Sequence, residues 1–119
     1  MRLFTRLSLH YKTTKKMAKN TKCYISLPIS GYDLAERRRL VEKVKAFLIA
    51  AGLEPISPLD KGLSDEAPYT EHMRQDLKIL LECDAICLVE GWEKSRGCNV
   101  ENIVAQTLNL QTFYYNFNL

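Results

Sequence analysis

Apolar positions follow two different spacings along the chain from residue 23 onward. Between stretches with strand-type patterns, apolar residues recur every three or four positions, as in helices. The predicted strands are residues 23–27, 53–57, 85–89 and 112–115, and the predicted helices are residues 33–51, 70–82 and 98–108. Strands that alternate with helices favour parallel pairing through right-handed crossovers. The pattern therefore predicts one α/β domain, a flavodoxin-like or Rossmann-like sandwich.

Two of the predicted strands differ enough to suggest an order for the sheet. The second contains Pro55, which cannot donate to a β-ladder and so belongs at an edge. The third, residues 85–89, is almost wholly apolar, as expected of a central strand. The simplest arrangement is a parallel sheet of four to five strands in the order 2-1-3-4. Its winding reverses between the first and third strands, where a ligand crevice is expected at their carboxyl ends.

The predicted helices have recognisable ends and apolar faces. Asp33 and Glu36 form a capping-box pattern at the start of the first helix, and Gly52 ends that helix. The apolar residues expected to face the core are Met73, Leu77, Leu80 and Leu81 in the second helix, and Val100, Ile103, Val104 and Leu108 in the third.

The amino-terminal segment is strongly basic and differs from the rest. Residues 1–22 contain seven of the 17 lysines and arginines and none of the 14 acidic residues, so ten basic residues remain against 14 acidic ones, a net charge of about −4. A body of that sign is unlike a binder of nucleic-acid polymers. The leader is either a transit-type peptide or an extension upstream of a start at Met17, and we favour the extension. We predict that residues 1–21 are disordered and that residues 22–119 form the domain.

The four cysteines, at positions 23, 83, 87 and 98, form no CxxC pair and have no zinc-type spacing to a histidine. Cysteines within apolar stretches are usually buried thiols. No apolar run is long enough to span a bilayer. We therefore expect no metal, no disulfide and no membrane contact, in a protein of the cytoplasm.

Two loops are expected to meet at the crevice. One contains Pro28, Ser30 and Gly31, and the other, residues 91–97, contains Trp92. Each leads into a helix amino terminus, where free N–H groups and the helix dipole favour an anion. Ordinary turns with ordinary helix caps would show the same pattern. Trp92 is a stacking surface for a base, part of the packing at the rim, or part of a subunit interface.

Two acidic residues occupy helix positions that suit chemistry. Asp76 lies on the core-facing side of its helix, where a carboxylate is costly without a partner. It is either an acid–base group with a raised pKa or a structural partner of Arg74 or Arg96. Glu101 stands near the start of the third helix, where glutamate is also favoured by the helix dipole. Two acids beside one pocket are able to cleave a glycosidic bond.

Three motifs together resemble a known family. Tyr24 with Pro28 resembles its Tyr-x-x-x-Pro, Asp76-Leu77 resembles the Asp-Leu of its acid-bearing helix, and Ser95-x-Gly97-x-x-x-Glu101 resembles its Ser/Asp-x-Gly-x-x-x-Glu signature. From Tyr24 to about Tyr115, the chain is similar to the nucleoside 2-deoxyribosyltransferase superfamily, including its deoxynucleoside 5′-monophosphate N-glycosidase branch. It is most similar to the short, uncharacterised phage and bacterial members.

The resemblance implies a cofactor-free enzyme that cleaves the N-glycosidic bond of 2′-deoxynucleosides or their 5′-monophosphates, by hydrolysis or by transfer of the sugar. Glu101 would attack C1′, Tyr24 would orient that carboxylate, and Asp76 would contact the sugar or transfer a proton to the departing base. Ser95 is compatible with a 5′-phosphate, and the first loop would complete the cradle. The expected substrate-binding residues are Pro28, Ser30, Gly31, Trp92, Ser95 and Gly97. The superfamily also implies a homodimer or a larger homo-oligomer.

Other functions on the same scaffold are open at this point. A non-catalytic nucleotide-binding module would retain Glu101 and Asp76 as structural groups. A flavodoxin-like or receiver-like domain is less consistent with the sequence, because a receiver needs an acidic cluster after its first strand and residues 27–29 offer none.

Overall fold

The computed structural model describes the backbone of residues 6–10 and the whole of residues 20–116. The elements follow the predicted order, with one strand added at the beginning. The strands are β1 (Arg6–His10), β2 (Thr21–Ser26), β3 (Leu53–Ile56), β4 (Ala85–Val89) and β5 (Gln111–Asn116). The helices are α1 (Leu34–Ala50), α2 (Tyr69–Leu81) and α3 (Arg96–Thr107), and two short 3₁₀ helices cover Pro58–Asp60 and Trp92–Lys94.

The five strands form one sheet in the order β1-β5-β4-β2-β3. The four strands β2, β3, β4 and β5, which are the predicted strands 1 to 4, pair in parallel in the order β3-β2-β4-β5, so the predicted order 2-1-3-4 is confirmed. Pro55 lies in the edge strand β3, opposite Cys23 of β2, as its missing donor predicts. Within the described residues, no helix is long and apolar enough to cross a membrane.

The prediction that residues 1–21 lie outside the fold is wrong for one stretch. Strand β1 pairs antiparallel with β5, from Arg6 opposite Asn116 to His10 opposite Thr112. It supplies backbone partners to a strand edge that would otherwise be open. The alternation of Leu7 and Leu9 with polar neighbours is a strand pattern, which the basic charge of the segment obscures. Residues 1–5 and 11–19 lie outside the described residues.

The start of α1 follows the sequence prediction only in part. Asp33 caps the helix, because its side chain accepts a hydrogen bond from the backbone N–H of Glu36 at 3.1 Å. The carboxylate of Glu36 does not complete a capping box; it binds the guanidinium of Arg37, with contacts of 2.7 and 2.9 Å. The helix ends before Gly52, which has a φ of +85°, as predicted for that glycine.

The two faces of the sheet carry different cores, because successive side chains of a strand point to opposite sides. On one face, Cys23 and Ile25 of β2 pack in an apolar cluster with α1. On the other face, Tyr24 packs in a second cluster with residues of α2 and its carboxyl end and of α3. We call these the α1 face and the α2/α3 face.

The predicted apolar faces of α2 and α3 are partly wrong. Leu81 is 59% exposed and Ile103 is 65% exposed, and Val100 and Leu108 are also exposed. Helix α3 instead buries Cys98, Glu101 and Ala105. This set also has the spacing of three and four residues that defines one side of a helix. The packing therefore buries a carboxyl group where the apolar pattern predicts aliphatic side chains.

Candidate functional site

A cavity of about 660 Å³ opens where the loops after β2, β3 and β4 meet. Asp76, Ser95, Gly97 and Glu101 all line it, together with residues of the loop between β3 and α2. The cavity lies at the carboxyl ends of the parallel strands, on the crevice that the sheet order predicts. Residues far apart in sequence are thus brought to one place by the topology.

The carboxyl group of Glu101 accepts two hydrogen bonds beside this cavity. The side chain is buried, with the residue only 4% exposed. The hydroxyl of Tyr24 donates to Oε2 at 2.5 Å, and the hydroxyl of Ser26 donates to Oε1 at 2.8 Å. Tyr24 and Ser26 are two residues apart in β2, so the strand presents both hydroxyls on the α2/α3 face. Both oxygens of the carboxyl group are thereby fixed in orientation.

Burial controls the protonation of this group. The pKa of Glu101 is raised to about 7, chiefly by removal from water and also by the nearby Asp76, against the lowering effects of the hydroxyls of Tyr24 and Ser26 and of the charge of Lys61. Burial and the neighbouring Glu101 also raise the pKa of Tyr24 well above its ordinary value. Tyr24 is therefore a neutral donor at physiological pH, and Glu101 ionises near neutral pH.

Asp76 lies on the buried side of α2, as its sequence position predicts, and is 8% exposed. Its partner is Lys61, whose Nζ lies 3.0 Å from Oδ1. Neither of the two arginines suggested by the sequence pairs with it. Arg74 instead approaches Glu71, and Arg96 lies over the ring of Tyr69. Burial raises the pKa of Asp76, and Lys61 opposes that shift.

Ser95 and Gly97 shape the amino terminus of α3. The hydroxyl of Ser95 accepts a hydrogen bond from the N–H of Cys98 at 3.2 Å, which makes Ser95 the cap of the helix. A Cβ atom at Gly97 would lie 3.2 Å from Sδ of Met73 and 3.3 Å from the hydroxyl of Tyr69. The glycine therefore lets α2 approach the start of α3 closely. Both residues line the cavity as well.

The remaining predicted residues divide into two groups. Pro28 and Ser30 line the cavity, and Arg37 braces their loop by donating from Nη1 to the carbonyl of Pro28 at 3.2 Å. Gly31 and Trp92 are not among the cavity walls. Trp92 packs against Tyr114, with ring centroids 6.4 Å apart. The structure thus favours the packing interpretation of Trp92.

Sequence reasoning missed three residues that organise the site. Ser26 belongs to no motif, but it stands two residues after Tyr24, a spacing that places two strand residues on one face. Arg37 and Lys61 carry no motif, and only the folded chain shows which groups they contact. Cations also line the cavity at Arg38, Lys94 and Arg96.

The fold and the cavity define a class, a parallel α/β domain with a buried carboxyl pair at the carboxyl ends of its strands. Residues 21–114 match the family described as Domain of unknown function (DUF4406). This match covers most of the chain, and the protein belongs to that family. No curated protein is significantly similar to it. The family description states no activity, so the function has to be argued from the site.

Proposed function

We propose that this protein cleaves the N-glycosidic bond of 2′-deoxynucleosides or their 5′-monophosphates through a covalent glycosyl ester on Glu101. The proposal extends the resemblance of its motifs to the nucleoside 2-deoxyribosyltransferase superfamily. One observation carries it: the carboxyl group of Glu101, held by two hydroxyls, lies in the same cavity as Asp76. A fixed nucleophile with a second acid beside it is the arrangement that glycosidic cleavage requires.

The reaction has two steps in this proposal. An oxygen of Glu101 bonds to C1′ while the C1′–N bond breaks, and the base leaves with the electron pair and takes up a proton. Water then attacks C1′ while the C1′–O bond to Glu101 breaks; the hydroxyl of the water stays on the sugar, its other proton passes to solvent, and the carboxylate of Glu101 is released. A second base in place of water gives sugar transfer. Asp76 contacts the sugar or carries the proton.

Cationic side chains in the cavity wall support a phosphorylated substrate, and they lie there together with the carboxyl groups of Asp76, Glu101 and Asp65, the last of which pairs with Arg38. Arg38, Lys94 and Arg96 line the cavity, and the amino terminus of α3 opens into it beside Ser95. Cationic side chains and helix amino termini both favour a phosphate. We therefore place 5′-monophosphates ahead of free deoxynucleosides within the proposal.

A non-catalytic nucleotide-binding module is the second candidate. One observation favours it: both oxygens of Glu101 already accept hydrogen bonds from within the protein, as those of a purely structural buried acid would. Calorimetric binding of a deoxynucleotide without any release of base over long incubation would support this module and contradict the enzyme.

The direct test is incubation of the full chain with each 2′-deoxynucleoside and each 5′-monophosphate, followed by chromatography for free base. We expect base release by the wild type and a loss of at least about 1,000-fold in Glu101→Gln, as for removal of a nucleophile. Glu93→Gln is the matched control, because Glu93 is exposed just before Ser95. Equal activity in Glu101→Gln and the wild type would remove Glu101 from the reaction.

Assembly belongs to the same proposal. We propose a homodimer, as the superfamily resemblance implies, and the exposed aliphatic side chains of Leu81 and Ile103 are consistent with a contact surface between copies. Light scattering at micromolar concentration measures the mass directly, and a strictly monomeric species would contradict the dimer.

A further inference from the structure

Lys61 is a buried cation in the loop between β3 and α2. Its side chain is only 9% exposed. Nζ lies 3.0 Å from Oδ1 of Asp76 and donates to the carbonyl oxygen of Pro58 at 3.1 Å. Lysine is almost never fully buried unless it is paired, and this one is anchored on two sides. Its ammonium group is therefore fixed relative to Asp76.

The contact orients the carboxyl group of Asp76. Oδ1 is buried and accepts no hydrogen bond of good geometry, so the 3.0 Å approach of Nζ is a charge contact, whereas the Asp76 side chain as a whole is 12% exposed. The exposed part of the side chain is therefore made of its other atoms, and Asp76 lines the cavity. One oxygen faces the lysine, and what remains accessible belongs to the cavity wall that a substrate would touch.

We propose that Lys61 is a positioning residue that holds Asp76 as an anion with one oxygen clamped, so that Asp76 receives a hydrogen bond from the sugar and does not protonate the departing base. The inference rests on the proposed glycosidase function. It chooses between the two roles that the resemblance leaves open for Asp76, since an ion pair requires the charged form of the acid. The base then takes its proton from water.

The surroundings of Asp76 show why a cation is needed there. Two carboxyl groups that share one cavity disfavour each other's ionisation, and Asp76 interacts electrostatically with Glu101, Tyr24 and Cys98. His72, on the same helix, and Lys61 are the groups that stabilise its charge, and Lys61 contributes more. Removing Lys61 leaves a buried carboxylate without its closest counter-charge.

The test compares Lys61→Met with Lys61→Arg and with the control Lys45→Met. Lys45 binds Asp60 from α1, so its substitution also removes a lysine ion pair to the same loop, away from the cavity. Carboxyl ¹³C resonances of Asp76 and Glu101 are titrated in the full chain, with Asp76→Asn and Glu101→Gln for assignment. We expect Lys61→Met to raise the pKa of Asp76, and Lys61→Arg and Lys45→Met to leave it near the wild-type value.

Kinetics and a second resonance complete the test. We expect Lys61→Met to lower kcat by about 100-fold, as for a displaced reacting group, with Lys61→Arg restoring part of the loss. In the wild type, the ¹⁵Nζ resonance of Lys61 should shift over the pH range in which Asp76 titrates, and Asp76→Asn should abolish that shift. This measurement stands even where Lys61→Met fails to fold.

Two results would overturn the inference: a folded Lys61→Met whose Asp76 titrates as in the wild type, or a Lys61 resonance that ignores the titration of Asp76. The titrations need no substrate. An inactive wild type would therefore refute the proposed function while the clamp on Asp76 is still measured, and the two failures are distinguishable.

Discussion

The two faces of the sheet use burial for different purposes. The α1 face packs apolar side chains such as Leu48 and Val44, both with no exposed surface. The α2/α3 face buries Ser26, Asp76 and Glu101 among its apolar residues. Burial of apolar surface stabilises a fold, whereas burial of a carboxyl group opposes folding unless partners compensate.

The comparison shows that the buried polar groups, which lower stability, are placed where the cavity lies. Strand β2 belongs to both faces, and its alternation gives Ile25 to the α1 face and Tyr24 to the other. The same strand thus anchors the core and supplies a donor to Glu101. Substitutions of α1-face residues that lie away from the cavity, such as Leu48, should change stability alone, and substitutions around Glu101 should change chemistry and pH dependence.

The largest change in stability is expected on the α1 face. Leu48→Ala removes a fully buried side chain of α1, and such truncations lower the free energy of unfolding by roughly 2–5 kcal/mol. Urea denaturation should show a lower midpoint with an unchanged slope. A loss below about 1 kcal/mol would mean that this face is not the stabilising core.

On the opposite face, Glu101→Gln should become increasingly more stable than the wild type as pH rises. The folded-state pKa of about 7 exceeds the ordinary value of 4.5, because burial disfavours the charge. The folded state therefore holds the proton more tightly than the unfolded state does. As pH rises between those two values, the free energy of unfolding of the wild type falls by up to about 3 kcal/mol because of this group. The variant has no such loss. Its unfolding free energy minus that of the wild type should grow from pH 4.5 to 7.5 and then level off.

The control for this prediction is Glu93→Gln, whose difference from the wild type should stay flat over the same range, since Glu93 is exposed. A difference for Glu101→Gln that is the same at pH 5 and pH 8 would contradict the raised pKa.

A smaller effect is expected from the hydroxyl of Tyr24. Tyr24→Phe removes the donor to Oε2 of Glu101, so the pKa of Glu101 should rise further and the carboxylate should lose part of its orientation. We expect kcat/KM to fall by about tenfold near neutral pH and the acid limb of the pH profile to move to higher pH. Tyr115→Phe, a buried tyrosine of the α1 face, is the control. An unmoved acid limb in Tyr24→Phe would show that the hydrogen bond does not control Glu101.

Sequence patterns predicted most of the fold because the strongest pattern lies in the centre of the sheet. The apolar run at residues 85–89 predicts β4, and all five residues are buried in the structure. Pro55 predicts an edge strand, and β3 lies at an edge. Strand β1 was not predicted, because its alternating leucines lie in a basic segment. Helical spacing on α3 is compatible with two buried sides, and aliphatic residues favour one of them, whereas the folded chain buries the side that holds Glu101.

The site was predictable only where a motif marked it. Asp76, Ser95 and Glu101 carry recognisable spacing, and they do line one cavity. The partner of Asp76 was not predictable, because Lys61 comes from a loop fifteen residues earlier and nothing local links the two. The position of Trp92 in its loop allows stacking on a ligand or packing at the rim, and only the folded chain shows that it packs against Tyr114.

The most direct test of the central claim is to trap the sugar on Glu101. A 2′-fluoro-arabinosyl deoxynucleotide slows the second step of a double displacement, so the glycosyl ester accumulates for peptide mass spectrometry. We predict one sugar-phosphate adduct on the peptide that contains Glu101, and none in Glu101→Gln. Release of base with every carboxyl group of that peptide unmodified would contradict the account.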